Sequence, residues 1–336
     1  MAKQFKAHFK NVDNTGFGPN SSVEGGRLTN KDGSYNLRKS GLRFYERISI
    51  YHTLLRMSRT RFFLFIFLAY SSINIFFACI YLAVGVDKLQ GSEQAHTLVD
   101  KYLTAFFFSS QTLTTVGYGH ISPLGFWTNA IASIESLMGI MIFALVTGMF
   151  YARFSRPRAY IRFSENLLVS PYKGGKALMF RIATYKNNHL TDAEAQVTIA
   201  IHEHTAGGNV TTRFFQLPLE FSRINSLALS WTIVHPLDEH SPISHFTERE
   251  FKELKIELMV TIKAFDDHFS NTVMQRTSYT ADELVYGAKF LPMFERSVDG
   301  YQTNLQLNKV NEHEIVQLEN VVNVDNVLDV IDAEEN

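Results

Sequence analysis

Five consecutive residues, Thr115-Val116-Gly117-Tyr118-Gly119, carry the most specific chemistry in the chain. Brought together from four copies, such a segment makes rings of backbone carbonyls that replace the hydration shell of a potassium ion. The glycines serve this directly, because aiming successive carbonyls at one axis needs backbone angles that a Cβ disfavours. Other apparent sites are weaker. His202-Glu203-His204 in a strand puts two imidazoles on one face, with no further metal ligand beside them. Ser241 lies near His and Asp residues without the setting of a nucleophile elbow. The sequence has no Walker or glycine-rich dinucleotide loop, so neither an enzyme nor nucleotide-controlled gating is expected.

A carbonyl-lined path needs elements that hold it at membrane depth, and the flanking sequence supplies them. The 25 residues between Arg61 and Asp87 contain no charge, and a span needs ~20 apolar residues at 1.5 Å rise each. A second run, from Phe126 to Phe154, has Glu135 as its one ionisable residue before Arg153. As a helix it measures roughly 40 Å, more than the hydrocarbon core, and is expected to protrude at one face. Between them, Lys101 to Thr115 is apolar and aromatic but too short to cross, which reads as a re-entrant helix. Its negative C-terminal end favours a cation in the cavity below. Irregular backbone at such depth is tolerated only where protein buries it or where it lines a water-filled path. The expected order is an outer helix over 58–86, a pore helix over 102–114, a selectivity filter at 115–119 and an inner helix over 126–154.

The charge distribution orients these spans. The 336 residues hold 32 Lys/Arg and 33 Asp/Glu, a formal charge of −1 that argues against nucleic-acid binding. One cysteine, Cys79, excludes an intrachain disulfide framework. Residues 1–61 hold 12 basic and 4 acidic side chains, 62–152 hold 2 and 4, and 153–336 hold 18 and 25. Arg56, Arg59 and Arg61 precede the first span, and Arg153, Arg156 and Arg158 end the second. Positive-inside bias therefore puts both termini in the cytoplasm of a multi-pass protein of the cell inner membrane. The acceptor-like Asn20-Ser-Ser and Asn209-Val-Thr then stand on the wrong side for glycosylation.

Beyond the second span, segments such as VTIAIHEH, LALSWTIVH, LKIELMVTIKAF and NTVMQRTSYT alternate or are β-branched, between turn clusters such as AGGN. They predict an all-β sandwich over 155–312. The last 26 residues hold eight acids and no Lys or Arg, which predicts a loose acidic tail over 313–336. Residues 1–42, rich in Asn, Gly and Ser, read as a similarly loose segment. Residues 43–57, apolar with scattered charge, suit a helix lying in the membrane interface.

The junction Ala152-Arg153-Phe154-Ser155-Arg156-Pro157-Arg158-Ala159 resembles that of the inward-rectifier potassium channel family, specifically its bacterial branch. Phe163-Ser164, Met179, Arg181, Ile233-Val234-His235, Asp238-Glu239, Ser241-Pro242 and Arg276, Ser278 and Tyr279 extend the resemblance across Arg43 to Glu312. The eukaryotic branch carries a cysteine pair around its pore loop, which this chain lacks. The resemblance implies a homotetramer, an immunoglobulin-like cytoplasmic domain that extends the ion path, and an interfacial helix that couples that domain to the gate. It implies no cofactor beyond the permeant potassium ion, with anionic phospholipid as a regulator.

Matched to the family, Gly139 falls at a hinge position and Tyr151 at an aromatic constriction that closes by dewetting. Gly139, Phe143, Thr147 and Tyr151 recur at four-residue spacing, which reads as one face of the inner helix. Phe143 stands where strongly rectifying relatives carry an acidic or amide residue, which implies weak rectification. Glu135 reads equally as a partial substitute for that charge or as a structural carboxylate behind the filter. Gln111 and His120 depart from the family around the outer mouth, and charged imidazoles there would repel the cation as external pH falls. Arg59, Arg61, Arg156 and Arg158 lie at headgroup level, each contributing about 1 kcal/mol toward anionic lipid. A two-span sensor or binding module is the competing class; it explains the spans and the sandwich but not Thr115–Gly119.

Overall fold

The structure, a computed structural model, describes residues 27–41, 43, 49–93, 95–204, 210–253, 255–297, 299 and 301–318. The acidic tail beyond 318, the first 26 residues and the AGGN turn fall outside these. The chain divides into two compact units, residues 39–156 and residues 1–38 with 157–336.

The first unit is helical. Helix α1 covers Ile50–Arg56, with Ser49 capping it through a bond from His52 N. Helix α2 covers Arg59–Val84 and ends at Gly85, whose φ of 106° no L side chain adopts comfortably. Helix α3 covers Leu98–Leu113 and helix α4 covers Gly125–Phe154. Both α2 and α4 have the length and apolarity of membrane spans. A two-residue pair, β1 (Leu89–Gln90) with β2 (Ser122–Pro123), ties the segment after α2 to the segment before α4. Phe77, Ala78 and Tyr81 of α2 pack on Ala105 and Phe108 of α3 to form the core of this unit.

The interfacial helix is shorter than the expected 43–57, although residues 44–48 lie outside the description. The pore helix is longer than expected, beginning at Leu98 rather than 102. Thr97 and Asp100 form a reciprocal capping box there, the Thr97 hydroxyl accepting from Asp100 N at 3.1 Å and the carboxylate accepting from Thr97 N at 3.0 Å.

The second unit is the expected β-sandwich. Its strands are β3 (Ile161–Phe163), β4 (Leu167–Tyr172), β5 (Gly175–Thr184), β6 (Leu190–His204), β7 (Val210–Gln216), β8 (Arg223–Ser226) and β9 (Ser230–Pro236). After the short helix α5 (Glu248–Glu253) come β10 (Glu257–Asp266), β11 (Asn271–Thr280), β12 (Leu284–Tyr286), β13 (Ala288–Phe290), β14 (Phe294–Arg296), β15 (Thr303–Leu305) and β16 (His313–Ile315). One sheet runs β11-β10-β6-β7 with β8 on β6; the other runs β12-β4-β5-β3 with β9 on β5. Inward residues of both, among them Phe180, Ile182, Ile199, Ile233, Leu258 and Ile262, share one core.

The loose N-terminal segment expected over 1–42 needs correction at 27–31. Leu28 is fully buried against Ala200 and Phe214, and the Glu257 carboxylate accepts from Leu28 N at 2.6 Å and Thr29 N at 2.9 Å. Thr277 Oγ1 donates to Lys31 O at 3.1 Å, and Arg27 pairs with Glu283. Distant side chains, rather than local propensity, fix this stretch.

Candidate functional site

The segment 115–119 hangs from the end of α3. Thr115 N donates to the Thr112 carbonyl at 3.1 Å, and Val116 N and Gly117 N both donate to the Gln111 carbonyl, at 3.0 and 3.4 Å. Thr115, Gly117 and Gly119 have φ of 59°, 52° and 78°, while Val116 and Tyr118 do not enter the left-handed region. Alternation of this kind is what a run of successive carbonyls facing one path requires. Glycine adopts such angles freely, and Thr115, β-branched at positive φ, holds about 1–3 kcal/mol of strain at the functional segment.

Val116 is 54% exposed and Tyr118 78%. A Cβ added at Gly117 or Gly119 meets nothing within 4 Å. These glycines are required by backbone angle rather than by space, and a single chain supplies one wall of the path.

A fully enclosed polar cluster joins the three helices. Asn74, Tyr81, Ser109 and Glu135, from α2, α3 and α4, each have 0% exposure. Tyr81 donates its hydroxyl to Glu135 Oε2 at 2.7 Å; Ser109 Oγ bonds the other carboxylate oxygen and lies 3.1 Å from Asn74 Oδ1. Asn74 Nδ2 donates to Tyr70 O at 2.8 Å, and Tyr70 and Ser110 share a hydroxyl bond of 2.5 Å. A carboxylate so enclosed faces the other helices of its own chain. Of the two readings of Glu135, this burial within its own chain favours the structural one.

The inner-helix face expected from four-residue spacing also divides. Phe143 and Tyr151 are each 74% exposed and Thr147 is exposed, but Gly139 is buried, lying so close to the pore helix that a Cβ would collide with the Leu113 carbonyl. The reason is helical geometry: each four-residue step advances about 40°, so three steps rotate the face by roughly 120°. Gln111 is half-buried near the end of α3, and its backbone carbonyl accepts from Val116 N and Gly117 N. His120 is exposed just past the filter, and its carbonyl lies against Gly91, where a Cβ would strike it.

Among the basic residues, Arg59, Arg61 and Arg156 are exposed in the helical unit and Arg158 in the β unit. His202 is buried and bonded to Thr212 at 2.9 Å, and the described residues include no cluster of three or more metal-ligating side chains. Ser241 is fully buried with His235 Nε2 at 2.8 Å, which removes it as a nucleophile. Sequence reasoning missed Tyr81 and Ser109, polar residues scattered in apolar helices. The available signal was that a polar group in a span needs a partner.

Fold and site together define a two-span pore protein with an attached β-sandwich. The model for "Ion channel" matches residues 62–156, and the model for "Inward rectifier potassium channel C-terminal domain" matches 161–326. The chain is 34% identical over 292 residues to the inward rectifier potassium channel Kirbac3.1 of Paramagnetospirillum magnetotacticum, covering 87% of this chain and 96% of that relative. It is 25% identical over 294 residues to the G protein-activated inward rectifier potassium channel 2 of Pongo abelii, covering 80% and 67%, and 25% over 302 to that of Mus musculus, covering 82% and 69%. A structural likeness to a Pseudomonas fluorescens alkylpurine DNA glycosylase, at 12% identity and a TM-score of 0.17, has no bearing on the fold. The chain belongs to the inward rectifier potassium channel family, a family of ion channels and not of enzymes.

Proposed function

We propose that four copies of this chain surround one axis and conduct potassium passively through the carbonyls of Thr115–Gly119. The observation that carries this reading is the segment itself: φ alternates in sign from Thr115 to Gly119, Val116 N and Gly117 N are held by the Gln111 carbonyl, and the segment is exposed in the single chain. A single wall of carbonyls cannot replace a hydration shell, so the site needs further copies. Tyr151, a large exposed ring in the last turn of α4, is the gate that closes by dewetting. Phe143 and the withdrawn Glu135 leave the cavity without a carboxylate on α4, so rectification is weak. His120 adds an external pH dependence.

Arg59 and Arg61 occupy the first turn of α2, where a helix N-terminus adds its own positive field. With Arg156 of the same unit they form a docking site for anionic phospholipid that controls the gate, and Arg158, in the β unit, is a separate candidate ligand for the same headgroup chemistry. The basic flanks of the two spans put both termini and the β-sandwich in the cytoplasm.

Uptake of radiolabelled rubidium into liposomes holding the purified protein, against a potassium gradient and with barium as blocker, tests the reading. Barium-sensitive uptake that excludes sodium is expected, and Tyr151→Ala should raise it about tenfold or more, the effect of ~1.4 kcal/mol removed from the closed state. No uptake in neutral or anionic lipid, even for Tyr151→Ala, would return the chain to the sensor class. Unchanged uptake in Tyr151→Ala would move the gate elsewhere.

A further inference from the structure

Arg153 lies two residues beyond Tyr151 and does something the neighbouring arginines do not. Helix α1 is only seven residues long, and the carbonyls of its last turn have no partner within the helix. Met57 N takes the Thr53 carbonyl. Arg153 takes two more acceptors: Nη1 donates to Leu54 O at 3.0 Å and Nη2 donates to Met57 O. A cation at a helix C-terminus is favourably placed for the dipole as well. The same guanidinium lies 4.8 Å from the centroid of the Phe62 ring, which is 1% exposed and meets Phe150 edge-on at 5.4 Å. One side chain thus joins the end of α1, the start of α2 and the end of α4.

We infer that Arg153 is a positioning residue that fastens the interfacial helix to the gate-bearing end of the inner helix, so that movement of α1 is delivered to Tyr151. The inference rests on Tyr151 being the gate. It also separates Arg153 from the lipid-facing arginines, because its nitrogens are engaged by backbone carbonyls and its flat face by an aromatic ring. Lysine cannot reproduce this arrangement. Its ammonium is a strongly hydrated point charge that does not stack and does not hold a two-acceptor fork.

The lysine variant therefore distinguishes a clamp from a lipid ligand. Full-length protein in liposomes with and without phosphatidylglycerol would be compared as wild type, Arg153→Lys, Arg153→Gln and Arg61→Gln. We expect Arg153→Lys and Arg153→Gln to behave alike, with amide exchange at residues 50–57 faster by about tenfold, the scale of losing charge-assisted bonds. Both should reduce the uptake response to phosphatidylglycerol, with rubidium-over-sodium selectivity unchanged. In a Tyr151→Ala background neither should alter uptake, because nothing remains for the clamp to move. Phe62→Leu, which removes the ring but keeps the charge, should shift exchange in the same direction to a smaller degree.

A wild-type response retained by Arg153→Lys and lost in Arg153→Gln would assign the residue to lipid and overturn the clamp. Unchanged exchange at 50–57 in both variants would also overturn it. The exchange result stands whether or not the lipid regulates the pore, and absent uptake in the Tyr151→Ala background counts against the pore reading alone.

Discussion

Gly139 is defined by what stands opposite it. The colliding atoms are backbone on both sides, the inner helix and the carbonyl of Leu113 at the end of α3, so no side chain can yield. Alanine there should force the two helices apart at the base of the filter, with the 1–3 kcal/mol cost typical of overpacking (order of magnitude). Thermal melts of the assembled protein and the rubidium-over-sodium ratio should both fall for Gly139→Ala. Gly148, where a Cβ meets nothing within 4 Å, provides the control, and equal behaviour of the two variants would refute the contact. His235 sets a second residue-level expectation. Its Nδ1 lies 2.6 Å from the Pro218 carbonyl, which can only accept, so Nδ1 carries the proton and Nε2 accepts from Ser241. Burial pushes its pKa down. A folded value below the unfolded one means stability that is present above about pH 6.5 and lost as pH falls through the folded value. Protection factors in β9, which are corrected for the intrinsic pH dependence of exchange, should fall on acidification in the wild type and lose that dependence in His235→Gln.

Among the elements, α3 has the clearest local logic, since its start is set by Thr97 and Asp100 and its end carries the filter. Thr97→Ala should cost about 1 kcal/mol and fray the outer turn, seen as faster exchange at residues 98–101 with filter selectivity intact; unchanged exchange would mean that packing alone fixes that end. The Thr-Leu-Val-Asp signature was legible in the sequence, yet the apolar run starting at Lys101 drew the boundary too late. Both spans were legible because uncharged runs of that length have few alternatives. The facing of α4 was not: it is apolar nearly all round, so nothing in its pattern shows that Glu135 and Gly139 turn toward the pore helix while Phe143 and Tyr151 do not. In the sandwich, β10 and β11 follow from alternation, as with buried Leu258, Val260 and Ile262. The β4–β5 hairpin is not among the segments the alternation picks out, and Lys173 and Gly174, both at positive φ, make a tight turn between its paired strands. The seat of residues 27–31 depends on Glu257 and Ser278, more than two hundred residues away, and no local pattern carries it.

At the scale of the whole molecule, charge is sorted: excess base lies before the first span and excess acid after the second, with almost none between. Glu135 is the one carboxylate in α4, and it is enclosed by α2 and α3 of its own chain. On the proposed reading, a cavity formed by four copies carries no acidic ring on its inner-helix wall to concentrate an internal polyvalent cation. Internal magnesium should consequently leave outward and inward potassium currents nearly equal in planar bilayers. Phe143→Glu would change this at an exposed position, placing one carboxylate per copy around a single axis. Unit charges a few ångströms from a divalent ion interact by several kcal/mol at an intermediate dielectric, so outward current in magnesium should fall about tenfold or more while inward current persists. Glu135→Gln should leave the current–voltage relation as it was, since that side chain already has both oxygens committed to Tyr81 and Ser109. Strong rectification in the wild type that disappears in Glu135→Gln would reverse the assignment and bring that carboxylate into the cavity. Rectification that survives Glu135→Gln would instead place the blocking charge outside the span, among the carboxylates that follow it.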